Sequence, residues 1–331
     1  MSENAEQVPI SAVIPVHNGE KYIEKSIRAV QQNLLTWDEA IFIINGTTDS
    51  TIKKLLKFSD SDSRIRVIEI KKAGIVNALN IGIQESKSKW IARFDVDDDY
   101  RSDRLSLQRQ LISNNIVAIF SDYQILGSFN EELGVIPSGI SDVPTTISLF
   151  GKNRTPHPVA LFSKDAFLES GRYQEKDFPA EDLGIWLRMT RAGEFRSVPI
   201  PLLRYRLHGN SISFNHQKHS KNVAQELLRS ICIEEHTIQK AIYTARQILE
   251  DYQGLPYADE RKLLFLLNTW QATTHYPYHR KERTRLQKEI FKLVLQPSFF
   301  QAFLSLRSDL NRRKKYRKQI WFEKRWGRNA E

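Results

Sequence analysis

Apolar and polar positions divide this chain into three stretches. From Val8 to Ser121, short apolar runs alternate with segments whose apolar residues recur every three or four positions. VPISAVIPV (Val8–Val16), AIFIIN (Ala40–Asn45), RIRVIEI (Arg64–Ile70), KWIARF (Lys89–Phe94) and IVAIFS (Ile116–Ser121) predict buried strands. EKYIEKSIRAVQQN, GIVNALNIGIQES and RLSLQRQLISN predict helices among them, and GTTDST after the second strand carries helix-start chemistry. Such alternation predicts right-handed βαβ units and a parallel sheet. From Asp122 to Phe214 the pattern is mixed, with one helix over AEDLGIWLRMTRAG and two short strands within EFRSVPIPLLRYRLH. Beyond Asn215 strands cease: Lys221–Tyr252 and Ala258–Gln271 predict long helices, and basic helices follow.

Composition narrows the class. The 331 residues are 40% hydrophobic and 27% charged, as in an ordinary globular protein. No apolar run reaches membrane-spanning length, and MSENAEQVP lacks the basic and apolar regions of a signal peptide, so a cytoplasmic protein is expected. A single cysteine, Cys232, excludes an internal disulfide and a cysteine-based zinc site. The net charge of +10 is local: residues 279–331 hold 16 lysines and arginines against 5 acids, leaving 33 against 34 before them. A neutral body with a basic tail and no nucleic-acid motif weighs against nucleic-acid binding.

The stretch WIARFDVDDDY runs from a predicted buried strand into four aspartates, Asp95, Asp97, Asp98 and Asp99. Two carboxylates about 6 Å apart repel by roughly 3 kcal/mol at an effective dielectric of 20. Ligands of open parallel sheets bind at the carboxyl ends of strands, where Asp95 emerges. A hard cation such as Mg²⁺ or Mn²⁺ would neutralise Asp95 and Asp97 there. Asp99 and Asp103 read instead as an acidic turn capping the next helix.

SAVIPVHNGEKYIEKSI, IINGTTDST, GIVNALNIGI, WIARFDVDDD and AEDLGIWLR, in this order and spacing, resemble the family 2 glycosyltransferases. The resemblance covers residues 8 to 214. It implies an inverting enzyme with a Rossmann-like GT-A nucleotide-binding domain, a central mostly parallel sheet and, outside the resemblance, a C-terminal helical extension. The implied division is a nucleotide-sugar-binding half (1–121), an acceptor-binding half (122–215) and a basic helical extension (216–331). Pro15, Val16 and His17 match the cradle of the base, His17 reading either as a stacking residue or as a surface loop histidine. Asn45 stands where many relatives carry an aspartate that accepts the base imide proton; an amide oxygen also accepts such a bond. Lys72 borders the nucleotide or is simply solvated.

The resemblance assigns Asp95 to the ribose or the metal shell and Asp97 to the cation bridging the diphosphate, with Asp98 near the donor sugar. His208 matches a position that reaches metal or diphosphate in some related enzymes. Glu181 and Asp182 read alone as acids favoured in a first helical turn. The resemblance makes Asp182 the base that takes the acceptor proton, with Glu181 orienting acceptor or base. His157 is a candidate acceptor contact, and Trp186 is either an acceptor wall or core. Arg204 and Arg206 alternate on a strand, one of them toward the diphosphate.

The tail NRRKKYRKQIWFEKRW mixes cations with Tyr316, Trp321, Phe322 and Trp326. It suits an anionic membrane surface or a solvated helical cap. The implied function is transfer from a nucleotide-sugar, UDP-linked, to a hydroxyl of a glycan or lipid-linked glycan, assisted by Mn²⁺ or Mg²⁺. Two alternatives stand beside it. A silent nucleotide-sugar-binding scaffold draws on Asn45. A sugar-1-phosphate nucleotidylyltransferase would need a glycine-rich, arginine-bearing loop that PVHNGEKY does not supply.

Overall fold

The computed structural model describes residues 7–71, 73–127, 130–138, 155–209, 211–230, 311–318 and 320, with positions 243, 281, 284 and 288. Lys72, Cys232, the expected helix at 258–271 and most of that at 221–252 lie outside the described residues, as do Trp321, Phe322 and Trp326.

The described strands are β1 (Ile10–Val16), β2 (Glu39–Asn45), β3 (Ile65–Ile70), β4 (Trp90–Arg93), β5 (Asp99–Tyr100), β6 (Ile116–Leu126), β7 (Glu132–Ile136), β8 (Leu161–Ser163) and β9 (Glu194–Arg206). They form one sheet in the order β3-β2-β1-β4-β8-β6-β9-β5, with β7 paired to β6. The β3-β2-β1-β4 half is parallel throughout, with helices α1 (Ile23–Asn33), α2 (Thr51–Ser59) and α3 (Ile75–Glu85) between its strands. Side chains alternate across it. Val13, Ile41, Ile43 and Ile91 face α3 and the helix Glu181–Met189. Ile14, Phe42, Ile44 and Ala92 face α1 and α2.

Beyond β4 the sheet departs from the expected pattern in two places. The predicted fifth strand, now β6, does not continue the parallel half. β8 lies between β4 and β6, antiparallel to both. Its three residues are too short to show a period. The two short strands expected over Glu194–His208 are the single strand β9, parallel to β6. Val198 pairs with Ser121 and Pro201 with Asp122, so Pro199 and Ile200 bulge from the ladder. The bulge accommodates a proline that has no N–H to give.

Asp99 and Asp103 also differ from expectation. Asp103 precedes α4 (Arg104–Arg109) but makes no capping bond; its carboxylate takes the Arg101 fork at 2.6 Å and 2.9 Å. Asp99 lies in β5 and pairs with Lys25 and Arg206.

Residues 311–318 are helical. Tyr316 and Ile320 are buried with Ile125, Leu133, Ile136 and Leu207 on the β6–β7 hairpin. Tyr316 is therefore a packing residue, not an interfacial aromatic. Arg312, Lys314, Lys315, Arg317 and Lys318 are exposed. No helix among the described residues is long and apolar enough to cross a membrane.

Candidate active site

Because β1 to β4 run parallel, their carboxyl ends share one edge of the sheet, and the candidate residues emerge there. Pro15 and Val16 close β1 and are buried; His17 follows, exposed, with Nδ1 2.7 Å from the Asn45 carbonyl oxygen. Asn45 ends β2, and its Oδ1 accepts the Gly74 N–H at 2.7 Å. That bond leaves one lone pair on the amide oxygen. Gly46 has φ +64, and a Cβ there would stand 3.0 Å from that of Ala73. A glycine therefore lets the β2 turn close on the loop before α3. The β1 and β2 loops are joined by the Asn18 Oδ1 bond to the Thr48 N–H at 2.9 Å and by Asp49 Oδ2, which accepts the Glu20 N–H at 3.0 Å.

At the end of β4, oxygens of Asp95, Asp97 and Asp98 lie within 4.8 Å of one another. Arg93 Nη2 donates to Asp95 Oδ1 at 2.6 Å, and the Asp95 N–H donates to the Tyr100 hydroxyl at 2.6 Å. His208 Nε2 is 2.6 Å from Asp97 Oδ2 but outside the mutual cluster. Asp98 is buried. Its Oδ1 accepts the Arg206 N–H at 2.8 Å, while Oδ2 has no partner among the described residues. Burial, then Asp97 and Asp95, hold the Asp98 carboxyl well above the usual range. Burial also raises Asp95, against the pull of Arg93 and with the push of Asp97. Three converging carboxylates with one orphaned buried oxygen fit a hard divalent cation such as Mg²⁺ or Mn²⁺.

Glu181 and Asp182 open the helix Glu181–Met189. Glu181 is buried and its Oε2 has no partner among the described residues. Burial, then Asp182, pushes it up to about 7; Asp95 adds to the push, so the two acidic groups sense each other's charge. Asp182 is half-buried, with Oδ1 accepting the Leu183 N–H at 2.7 Å. His157 Nε2 is 2.7 Å from the Tyr173 hydroxyl. Burial, then Arg93, holds the His157 imidazole well below its ordinary range, as the neutral form.

Trp186 is not an acceptor wall. It is fully buried, with its ring 5.2 Å from Phe120 and 5.4 Å from Phe162, centroid to centroid. The amphipathic period turns it into the core. Neither strand arginine offers an open fork to a diphosphate. Arg204 bonds Gln124 at 3.0 Å and Glu132 at 3.3 Å on the exposed side. Arg206 is buried and commits its donors to the acidic loop and the β6–β7 turn.

Two further residues, Arg93 and Tyr173, join the site in the folded structure. Arg93 is a buried cation inside a four-residue strand; an arginine in such an apolar run was the available signal. Tyr173 carries no signal of its own. Its buried hydroxyl is pushed well above the ordinary range by burial and lies within reach of Arg93, Asp182 and Glu181. Beside the trio, a cleft of about 240 Å³ is lined by Lys21, Tyr22, Val96, Asp97, Asp98 and Asn130, among others.

Comparison with known proteins finds glycosyltransferases. Residues 11–148 match the sequence profile of glycosyl transferase family 2. An uncharacterized glycosyltransferase of Haemophilus influenzae is 28% identical over 237 residues, covering 66% of this chain and 72% of the relative. The UDP-Gal:alpha-D-GlcNAc-diphosphoundecaprenol beta-1,3-galactosyltransferase of Escherichia coli is 26% identical over 206 residues, covering 58% and 71%. The crystal structure of S. aureus TarS 1-349 in complex with UDP-GlcNAc superposes with a TM-score of 0.57 at 13% identity, over 98% of this chain and 93% of that one. Over residues 11–148 the chain is similar to glycosyl transferase family 2, its relatives are glycosyltransferases, and its fold is that of the GT-A enzymes.

Proposed function

We propose that this chain moves a sugar from a UDP-sugar to a hydroxyl of a lipid-linked glycan in one displacement, with inversion at the sugar carbon. The carrying observation is the pair of acidic groups at one sheet edge: a carboxylate trio beside a cleft and, within its electrostatic reach, a helix-start Glu-Asp. In this reading residues 1–121 bind the nucleotide-sugar and 122–215 the acceptor. Asp95, Asp97 and Asp98 hold Mg²⁺ or Mn²⁺, with His208 bearing on Asp97. A cation held there offsets negative charge on the departing diphosphate. The carboxylate of Asp182 takes the proton of the attacking hydroxyl. Glu181, pushed up to about 7 by burial and then by Asp182, is suited to orient the acceptor and not to act as the base. Asn45 and His17 contact the base, and His157 with Tyr173 borders the acceptor.

The E. coli relative's UDP-galactose donor and its lipid diphosphate acceptor support this donor and acceptor class. The exposed Lys314, Lys315 and Arg317 suit an anionic membrane surface, where such an acceptor resides. The test is a panel of UDP-hexoses with Mn²⁺ and a synthetic GlcNAc-diphosphate-lipid, followed by mass and anomeric configuration of the product. A disaccharide of inverted configuration is expected. UDP binding without sugar release, even with acceptor, would favour the silent scaffold instead.

A further inference from the structure

We propose that Arg206 is the positioning residue of the metal-binding acids, braced from behind by Tyr316 of the C-terminal helix. The inference rests on the metal reading of Asp95, Asp97 and Asp98. Arg206 touches three consecutive acids. Its main-chain N–H donates to Asp98 Oδ1 at 2.8 Å, its Nε to the Asp97 carbonyl at 3.3 Å, and its Nη2 to Asp99 Oδ2 at 3.2 Å. The remaining donor nitrogen turns the other way. Nη1 bonds Asn130 Oδ1 at 2.8 Å and the Gly127 carbonyl at 3.4 Å, in the turn between β6 and β7.

That turn is in contact with the tail. A Cβ at Gly127 would stand 2.8 Å from Tyr316 Cζ and would overlap the Glu131 carboxylate. Glycine at 127 is therefore what lets the tyrosine ring close on the turn. Tyr316 is 8% exposed and Ile320 is 5% exposed on the same hairpin. Contact runs from the C-terminal helix to the turn, from the turn to the guanidinium, and from the guanidinium to the backbone and side chains of the acids. A planar guanidinium with fixed donors spans both sides of this arrangement, which the single ammonium of lysine cannot do. Outer groups that orient metal ligands commonly shift metal affinity 10–100-fold when changed.

The experiment is a Mn²⁺ titration of the full chain followed by electron paramagnetic resonance at saturating UDP, with a thermal melt of each protein. Arg206→Lys is expected to weaken Mn²⁺ about tenfold or more. Asn130→Gly keeps the positive φ of 67 at that position while deleting one acceptor. It is expected to weaken Mn²⁺ several-fold at unchanged melting temperature, with transfer restored by excess Mn²⁺. Tyr316→Leu is expected to shift Mn²⁺ affinity in the same direction by less. Wild-type Mn²⁺ affinity in both Arg206→Lys and Asn130→Gly would overturn the positioning role and leave the metal reading standing. Wild-type chain that binds no Mn²⁺ with UDP would overturn the metal reading and this inference together.

Discussion

The two acidic groups of the site sit under the same pressure and relieve it differently. Asp98 and Glu181 are both buried, each has an oxygen without a partner among the described residues, and burial is the largest upward push on each. Asp98 has two further carboxylates converging on it, and one proton on the trio would still leave two carboxylates crowded together. Glu181 is pressed chiefly by Asp182, with Asp95 adding less, and a single proton held on Glu181 relieves it. The first arrangement suits a divalent cation and the second suits proton transfer. The difference separates leaving-group stabilisation from acceptor activation within one sheet edge.

The comparison breaks most sharply at Asp97. Asp97→Asn should weaken Mn²⁺ in the presence of UDP by more than about 100-fold, beyond the range of an outer-shell change. Calorimetry with and without UDP checks it. Neutralising Lys314, Lys315 and Arg317 to glutamine should weaken binding to anionic vesicles by about 3 kcal/mol at one per cation, or roughly 100-fold, and leave transfer to a soluble acceptor unchanged. Sedimentation with vesicles of varied anionic lipid content checks that. Unchanged sedimentation would remove the membrane from the account.

Glu181→Gln gives a smaller and pH-dependent effect. The folded-state value of about 7 lies above the ordinary 4.5. The wild-type contribution to stability is therefore complete below about pH 4.5 and is lost as pH rises through 7. Glutamine does not ionise, so the variant's melting temperature relative to wild type should climb between pH 4.5 and pH 8. A flat difference across that range would show that Glu181 does not titrate with folding.

The parallel half was legible because each of its strands is a run of apolar residues and each helix has one apolar face. The mixed half was not. β8 is only three residues long, and the two prolines of β9 interrupt a strand that a bulge restores. The Asp and Glu-Asp motifs were visible as crowded charge. Arg93 and Tyr173 were not singled out, since their roles come from where β4 and the segment before the Glu181 helix meet in space. Trp186 shows the converse: a motif neighbour of the pair whose helical period sends it into the core. Tyr316 shows the same for the tail, where one aromatic in a basic run is packed against the hairpin.

The most direct test of the division of labour is Asp182→Asn, assayed for both sugar transfer and Mn²⁺-dependent UDP affinity. Transfer should fall roughly 10²–10⁴-fold, the usual contribution of a general base, while UDP binds as tightly with Mn²⁺ as in wild type. Loss of Mn²⁺-dependent UDP binding in the same variant would contradict the account, because the two acidic groups would then be one site.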